Sequence, residues 1–178
     1  MIRCYVTDRR HGDVVTHAIA AIHSSIEMIQ VREKDMDAGE LFDLVCRIRT
    51  AAAGTATKIL VNDRLDIAMA AGVEGVHLPA DGLPPGRVRP FVRLMGCSTH
   101  SLEEAVRAER DGADYVIFGP VFETPGKTPV GIEALREVAA GVRIPVLGIG
   151  GISPDNITQV VEAGASGFAA IRMFQRVL

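Results

Sequence analysis

The sequence is poor in aromatic residues and in cysteine, and it lacks tryptophan altogether. Only two of its 178 residues are tyrosines, and its three cysteines (Cys4, Cys46 and Cys97) lie far apart. An odd number of widely spaced cysteines fits neither a disulfide framework nor a zinc site. The cysteine content therefore favours a reducing compartment and predicts a cytoplasmic protein.

Long apolar runs and an excess of positive charge are also missing. No apolar run reaches the roughly 18 residues that a membrane-spanning helix needs, and Met1-Ile2-Arg3 opens a strand rather than a signal peptide. The formal net charge of −3 argues against non-specific nucleic-acid binding, which needs a basic surface. These absences predict that neither a membrane nor a nucleic acid is a partner.

The residues that are abundant indicate a well-packed globular protein. Hydrophobic residues make up 48% of the chain, and the mean hydropathy is +0.22. They are mostly Ala, Val, Ile and Leu, which suit buried parallel strands covered by alanine-rich helices. The length predicts one domain, residues 1–178, that buries a single core.

Strand-like and helix-like segments alternate along the chain. The predicted strands are residues 3–7, 28–32, 58–61, 75–78, 94–97, 115–119, 146–150 and 167–171. The predicted helices are residues 13–24, 38–52, 65–71, 101–111, 132–140 and 154–163, with at most a short helix in the proline-rich stretch 79–90. The helix at 101–111 opens with a capping box, Ser101 to Glu104.

This alternation predicts an α/β fold, a compact (β/α)₈ TIM barrel, rather than a doubly wound sheet. A weak internal repeat supports it, since Gly72, Gly112 and Gly164 each end a helix and precede a strand. Eight strands separated by seven helical segments are what the closed barrel requires. Because Leu178 stands where the eighth helix would begin, we expect the last helix to be truncated or missing.

A glycine-containing turn at residues 146–156 (VLGIGGISPDN) dominates the sequence. A short strand leads into Gly150-Gly151, with Ser153 as the expected N-cap and Pro154 at the first helical position. Backbone N–H groups and the helix dipole would then favour an anion such as phosphate. The alternative is an ordinary tight turn between a strand and a helix.

Polar residues collect where the predicted strands end, which is the functional face of a barrel. Gln30, Arg32 and Lys34 alternate, so they share one face if the strand continues. Burying polar groups at the barrel mouth is costly unless they are used or paired. The alternative is a pair of surface salt bridges, between Arg32 and Glu33 or between Lys34 and Asp35.

Further candidates follow the other strands. Asp63 after Asn62 either caps the next helix or binds Mg²⁺ together with a phosphate across the mouth. His77 is either a core histidine or a site residue, and Ser98 ends the fifth strand. Thr124 and Lys127 would clamp a diphosphate if Lys127 is not simply a solvated loop lysine. No nucleophilic triad is present, so the residues alone indicate an enzyme acting on a small phosphorylated substrate.

Taken together, the motifs resemble those of the thiamine phosphate synthase/TenI family over nearly the whole chain. The matching segments are residues 30–34 (QVREK), 62–68 (NDRLDIA), 75–78 (GVHL), 96–100 (GCSTH), 112–116 (GADYV), 119–122 (GPVF), 124–127 (TPGK) and 148–152 (GIGGI). The family fold is a (β/α)₈ barrel. The specificity of the resemblance comes from the order and spacing of these segments, since none is specific alone.

The resemblance implies a Mg²⁺-dependent transferase that joins an aminopyrimidine methyl diphosphate to a thiazole phosphate and releases pyrophosphate. By position, Gln30, Arg32, Lys34, Asn62 and Lys127 would hold the diphosphate side, with Arg32, Lys34 and Lys127 as the catalytic set. Ser98 would face the pyrimidine. Thr124, the Gly150-Gly151 turn and Ile171 would hold the thiazole phosphate, and Asp63 and Asp81 would bind Mg²⁺.

Three positions depart from the family pattern. A second metal carboxylate usually ends a Gly-Gln-acid-Asp motif after strand four, whereas residues 79–82 here read PADG, so Asp81 stands one place early. Gly126 stands where a hydroxyl usually precedes the loop-six lysine. Arg172 stands near the place of a serine that usually helps to bind phosphate.

Two other functions stay open at this point. Residues 76–79, 100–106 and 121–124 look closer to the TenI-type thiazole tautomerase, yet the catalytic histidine of that enzyme would fall at Pro120. Asn62-Asp63 favours the synthase, because the tautomerase lacks that acid. A regulatory, non-catalytic phosphate binder is the third function. The sequence leaves the oligomeric state open, a homo-oligomer included.

Overall fold

The computed structural model describes residues 1–175, in which eight parallel strands close into a barrel. The strands are β1 (Ile2–Val6), β2 (Met28–Val31), β3 (Lys58–Asn62), β4 (Gly75–Leu78), β5 (Leu94–Thr99), β6 (Tyr115–Phe118), β7 (Val146–Ile149) and β8 (Gly167–Ala170). Each pairs with the next in sequence, and β1 pairs with β8. The prediction of a (β/α)₈ barrel is confirmed.

Helices connect the strands on the outside of the barrel. They are α1 (Val14–His23), α2 (Ala38–Ala52), α3 (Leu65–Ala71), α4 (Pro85–Val88), α5 (Leu102–Arg110), α6 (Ile132–Gly141) and α7 (Ile157–Glu162). A 3₁₀ helix, Arg172–Gln175, follows β8, and the predicted truncation of the last helix falls partly on residues 176–178, outside the described part. Between residues 1 and 175, no helix combines the length and apolar character that crossing a membrane requires.

Side chains alternate between two apolar layers along the strands, as the two-residue period of a strand requires. The barrel interior holds Cys4, Val6, Met28, Leu60, Tyr115, Ile117, Leu147 and Ala169. The larger layer lies between strands and helices, where Met95 and Cys97 of β5 pack. Because both faces of the sheet are buried, the strands read as nearly continuous apolar runs, and polar side chains are left to the strand ends.

The predicted boundaries of most elements agree with the structure to within two residues, but that of α7 is wrong. Ser153 is not its N-cap, because α7 begins only at Ile157. The side chain of Asn156 holds the preceding turn: its Oδ1 accepts from the Ser153 amide at 2.9 Å, and its Nδ2 donates to the Gly151 carbonyl at 2.9 Å. These bonds satisfy backbone groups that a helix would otherwise use. By contrast, Ser101 caps α5 as predicted.

Candidate active site

A cavity of about 690 Å³ opens at the carboxyl ends of the strands. This is the end of a (β/α)₈ barrel where active sites occur. The predicted site residues that line it are Gln30, Arg32, Lys34, Asn62, Asp81, Ser98, Thr124, Lys127, Gly150 and Ile171. Gly151 follows Gly150 in the same turn, whereas Asp63 lines a neighbouring crevice.

The end of β2 supplies two cations, Arg32 and Lys34, because the acids next to them in the sequence bind other residues. Glu33 is buried and accepts from Thr7 Oγ1 at 2.5 Å and from the Arg9 amide at 3.0 Å. Asp35 forms its ion pair with Arg9, at 2.7 Å. The alternative that Arg32 and Lys34 pair with these acids is therefore wrong, and within residues 1–175 neither cation forms an ion pair.

The mouth is positively charged although the chain as a whole is not. Of residues 1–175, four cations line it (Arg10, Arg32, Lys34 and Lys127) against one carboxylate, that of Asp81. Arg10, which the sequence reasoning missed, donates to both oxygens of Asp8 at 2.9 and 2.6 Å, and these bonds hold the pKa of Asp8 below its usual range. An anionic substrate is the natural occupant of such a cavity. The run Asp8-Arg9-Arg10 directly after β1 was the available signal.

His77 lines the cavity from β4 and is also fully partnered. Its Nε2 lies 2.9 Å from Ser98 Oγ, and its Nδ1 lies 3.2 Å from Tyr115 Oη. The residue is 1% exposed. Burial, with a smaller contribution from the Arg32 charge, lowers the pKa of His77 to about 3. His77 is thus a neutral, hydrogen-bonded histidine that holds Ser98. The two interpretations made from the sequence, a core histidine and a site residue, are therefore compatible.

Gln30 lines the cavity and carries a hydrogen-bond acceptor that the described chain does not use. Its Nε2 donates to Asn62 Oδ1 at 2.9 Å, while its Oε1 is buried without a partner in the described chain. A buried acceptor left unpaired is costly, so this oxygen is suited to an N–H donor from a ligand. Phosphate oxygens are acceptors and would not satisfy it.

Loop six presents Lys127 from a tight turn over residues 124–127. The Lys127 amide donates to the Thr124 carbonyl at 3.0 Å, and Gly126 between them has φ +75°. A residue with a side chain is strained in that conformation. Glycine at position 126 therefore suits the conformation of this turn.

The turn after β7 is built so that only glycine fits. Gly150 and Gly151 have φ +94° and +66°, and a Cβ on them would lie 2.5 Å from Pro120 and 2.7 Å from Phe122, respectively. Within residues 1–175 the amides of Gly150, Gly151 and Ile152 donate to no protein acceptor. The predicted contribution of a helix terminus at Ser153 is wrong, because α7 starts later and is short. Any anion here would be bound by loop amides.

The two predicted metal carboxylates lie in adjacent cavities. Asp63, whose φ is +63°, lines a crevice together with Lys34 and Asn62. Lys34 and Asn62 also line the cavity at the barrel mouth, and Asp81 lines that cavity too. The alternative that Asp63 caps α3 is wrong, because Arg64 is the N-cap residue and no side-chain cap bond forms. Residues 1–175 contain no group of three or more His, Cys, Asp and Glu side chains placed to hold a metal.

Such a donor set still fits Mg²⁺. This ion prefers oxygen ligands and is commonly bound by one or two carboxylates completed by substrate phosphates and water. The structure therefore provides carboxylates for a Mg²⁺ that arrives with a phosphorylated ligand and no complete protein cage. Arg172, which follows Ile171, is exposed and begins the last 3₁₀ helix.

Comparison with known proteins agrees with this arrangement. A family model for thiamine monophosphate synthase matches residues 4–174. A thiamine-phosphate synthase of Chlorobium phaeobacteroides is 38% identical over 97% of this chain and 87% of its own length. One of Desulfitobacterium hafniense is also 38% identical, over 85% of this chain and 76% of its own.

A solved structure extends the similarity to three dimensions. The thiamine phosphate pyrophosphorylase of Pyrococcus furiosus superimposes with a TM-score of 0.90 and 34% identity, covering 96% of this chain and 85% of that one. The N-acetylmannosamine-6-phosphate 2-epimerase of Clostridium perfringens, with a TM-score of 0.74 and 16% identity, shares the fold alone.

Proposed function

The chain belongs to the thiamine monophosphate synthase family, and we propose that it is a thiamine phosphate synthase, a transferase of thiamine biosynthesis. Its substrates would be 4-amino-2-methylpyrimidine-5-methyl diphosphate and thiazole phosphate, and its products thiamine phosphate and pyrophosphate. The observation that carries the proposal is that one cavity has two groups of potential donors to an anion. One is a set of cations, and the other is a glycine turn whose amides have no acceptor within residues 1–175.

The reaction needs charge stabilisation more than proton transfer. The methylene C–O bond of the pyrimidine breaks and its electron pair leaves with pyrophosphate, while the thiazole nitrogen lone pair forms the new C–N bond. The product is a thiazolium cation, so no proton has to be removed. This agrees with a site that has no Ser-His-Asp arrangement and whose central histidine, His77, stays neutral.

Arg32, Lys34 and Lys127 would stabilise the leaving diphosphate. None of them forms an ion pair within residues 1–175, so their charge is available to a ligand without breaking a protein contact. Charge-assisted bonds to developing negative charge are the largest single contribution to many enzymatic rates. Asn62 would be close to the same phosphates, because it lines both the crevice and the mouth.

Gln30 and Ser98 would recognise the pyrimidine. The free Oε1 of Gln30 matches the exocyclic amine of an aminopyrimidine, which is a donor. We therefore move Gln30 from the diphosphate, where the family resemblance put it, to the pyrimidine ring. Ser98, held by His77 at 2.9 Å, lines the same cavity.

The thiazole phosphate would sit on loops six to eight. The amides of Gly150 and Gly151 supply donors at a place where no side chain intrudes, as in other backbone phosphate sites. Thr124 and Ile171 line the cavity next to them. Arg172, which is exposed and follows Ile171, would add positive charge from the solvent side.

Mg²⁺ would be held by Asp63 and Asp81, and when bound it neutralises charge on the diphosphate and makes it a better leaving group. The protein is proposed to work in the cytoplasm, in keeping with its three free cysteine thiols. Homo-oligomer formation stays a proposal that sedimentation would test.

The experiment is an assay of purified protein with both substrates and Mg²⁺, following thiamine phosphate and pyrophosphate together. The synthase predicts equal amounts of the two products and their loss in Lys127→Ala. A parallel incubation with the thiazole carboxylate phosphate tests the tautomerase, which is disfavoured because Pro120 lines the cavity and has no group that carries a proton. Turnover in that arm alone would replace the synthase, and binding of either phosphate without turnover in both arms would indicate a regulatory protein.

A further inference from the structure

We propose that Tyr115, which does not line the cavity, fixes the direction of the hydrogen bond that Ser98 offers to the substrate. It would do so through His77, by selecting the imidazole tautomer that carries its proton on Nε2. Ser98 Oγ then accepts from His77 and is left to donate its own proton into the cavity. The inference rests on the proposed function only for the identity of the substrate group that faces Ser98.

The three side chains form one continuous line from the barrel interior to the mouth. Tyr115 is 3% exposed and belongs to the interior apolar cluster. Its Oη lies 3.2 Å from His77 Nδ1, and His77 Nε2 lies 2.9 Å from Ser98 Oγ. Only Ser98 and His77 line the cavity, so Tyr115 acts as a positioning residue.

A glycine makes room for this line. A Cβ on Gly96 of β5 would lie 2.1 Å from Tyr115 Cζ and 2.5 Å from its Oη. Any side chain at Gly96 would therefore displace the phenol from His77. Gly96 leaves this space to the Tyr115 hydroxyl, although burying an apolar side chain inside the barrel would cost less free energy than burying a hydroxyl.

The number of protons available decides the direction of the bonds. A neutral imidazole has one N–H donor and one acceptor nitrogen, and the neutral form suits His77, which is 1% exposed and has two hydroxyl groups rather than a carboxylate as partners. Tyr115 Oη has one hydrogen-bond partner within residues 1–175, which is His77 Nδ1. If Nδ1 carried the proton, the phenolic proton would be buried without an acceptor, which is unfavourable.

The other tautomer satisfies every group in the line. Tyr115 donates to Nδ1, Nε2–H donates to Ser98 Oγ, and the Ser98 hydroxyl proton points to the ligand. Gln30, whose Oε1 acceptor has no partner within residues 1–175, lines the same cavity. The residues that line the cavity thus offer one donor and one acceptor. An aminopyrimidine edge, with a ring nitrogen acceptor beside an amine donor, is complementary to that pair.

The tautomer is tested without any substrate. We expect the ¹⁵N chemical shifts of the His77 ring, assigned with a His77→Gln variant, to show a protonated Nε2 and an unprotonated Nδ1 between pH 6 and 8. The Tyr115→Phe protein is expected to populate both tautomers. A wild-type ring protonated at Nδ1, or an unchanged ring in Tyr115→Phe, would overturn the inference whether or not the protein is a synthase.

The functional consequence is tested by a double-mutant cycle on turnover. Tyr115→Phe should lower kcat/KM for the pyrimidine diphosphate about 10-fold and leave KM for the thiazole phosphate unchanged. In a Ser98→Ala background the same substitution should have no further effect. Independent, multiplicative effects of the two substitutions would mean that Tyr115 acts only on the general structure.

The chain contains a matched control, because its second tyrosine is also buried. Tyr5 accepts a hydrogen bond from Gln175 Nε2 at 3.3 Å, whereas the side-chain hydrogen bonds of His77 within residues 1–175 are to Tyr115 and Ser98. Tyr5→Phe should destabilise the fold to a similar extent while leaving kcat/KM for the pyrimidine diphosphate unchanged. An equal fall of that kcat/KM in Tyr5→Phe would show that loss of a buried hydroxyl, wherever it lies, explains the result.

Discussion

The two sides of the barrel mouth differ in how they are suited to bind an anion. On the side of β2 and β3 an anion would be bound by side chains, since Arg32 and Lys34 have no ion-pair partners in residues 1–175. On the side of β7 it would be bound by backbone amides, which Gly150 and Gly151 leave uncovered. Binding on the first side depends on charge, and binding on the second depends on backbone conformation. Substitutions should therefore affect the two sides separately.

The largest effect is expected from removing charge on the side-chain side. Arg32→Ala should lower kcat about 1,000-fold, because a bond to the leaving diphosphate strengthens as charge develops. Arg32→Lys should recover part of the rate, since it keeps the charge but loses the planar fork. Steady-state kinetics at saturating substrate would measure both.

A surface arginine provides the control for that experiment. Arg107 pairs with Glu103 on α5 at 3.1 Å and is largely exposed, so Arg107→Ala should leave kcat within about 2-fold of wild type. Similar losses in Arg32→Ala and Arg107→Ala would mean that general electrostatics, rather than a specific contact, drives the reaction.

The next largest effect concerns the metal carboxylates. Asp63→Asn should lower the rate about 100-fold at low Mg²⁺ and be partly rescued by more Mg²⁺. Asp81→Asn should have a smaller effect, because Asp81 lies in an exposed loop whereas the amide of Asp63 is fixed by the His77 carbonyl at 2.9 Å. Titrating Mg²⁺ against rate measures this. Equal effects of the two variants would contradict the assignment of Asp63 as the main ligand.

Acid stability should depend on His77. Its pKa falls from 6.5 in the unfolded chain to about 3 in the fold, chiefly because burial disfavours the charged ring. Below pH 6.5 the unfolded state binds a proton that the folded state does not, so stability is complete above that pH and is lost as the pH falls toward 3. The loss reaches about 2 kcal/mol at pH 5.

Denaturant titrations at pH 7 and pH 5 would measure this contribution. Wild type should lose that stability between the two values, and His77→Gln, which does not titrate, should lose about 2 kcal/mol less. An equal loss in the variant would place the acid sensitivity in other groups.

The smallest effect is expected on the backbone side. Gly151→Ala should raise KM for the thiazole phosphate about 10-fold, because its Cβ would lie 2.7 Å from Phe122 and force the turn to move. Gly54→Ala is the control: its φ is +78°, yet a Cβ there would contact nothing within 4 Å. It should cost about 1 kcal/mol of stability with both KM values unchanged. A comparable rise of KM in Gly54→Ala would show that backbone strain alone is responsible.

The sequence was sufficient for the barrel and for most side chains of the mouth. Strands buried on both faces leave a clear apolar pattern, and polar residues at the strand ends stand out against it, as Gln30 and Arg32 do. Arg10 was missed because it lies in a short 3₁₀ helix after β1 that has no periodic pattern. The direction of its side chain is set by a local pair with Asp8, two residues earlier, and the sequence pattern alone does not show that this pair faces the barrel mouth.

Backbone details were harder to predict than side-chain positions. Ser153-Pro154 has the local preference of a helix start, but the side-chain bonds of Asn156 delay α7 to Ile157. The link from Tyr115 to Ser98 joins residues of two neighbouring strands through a third, so no local pattern reveals it. Such contacts follow from barrel closure, which a linear sequence records only indirectly.

The most direct test of the division between the two sides is a calorimetric titration of thiazole phosphate into the protein saturated with Mg²⁺ and pyrophosphate. If pyrophosphate occupies the side-chain side and thiazole phosphate the glycine turn, both bind together. The Kd for thiazole phosphate then stays within about 3-fold of its value without pyrophosphate, which is less than 1 kcal/mol. Competition, with the apparent Kd rising in proportion to the pyrophosphate concentration, would mean that the mouth has a single anion site and would contradict the account.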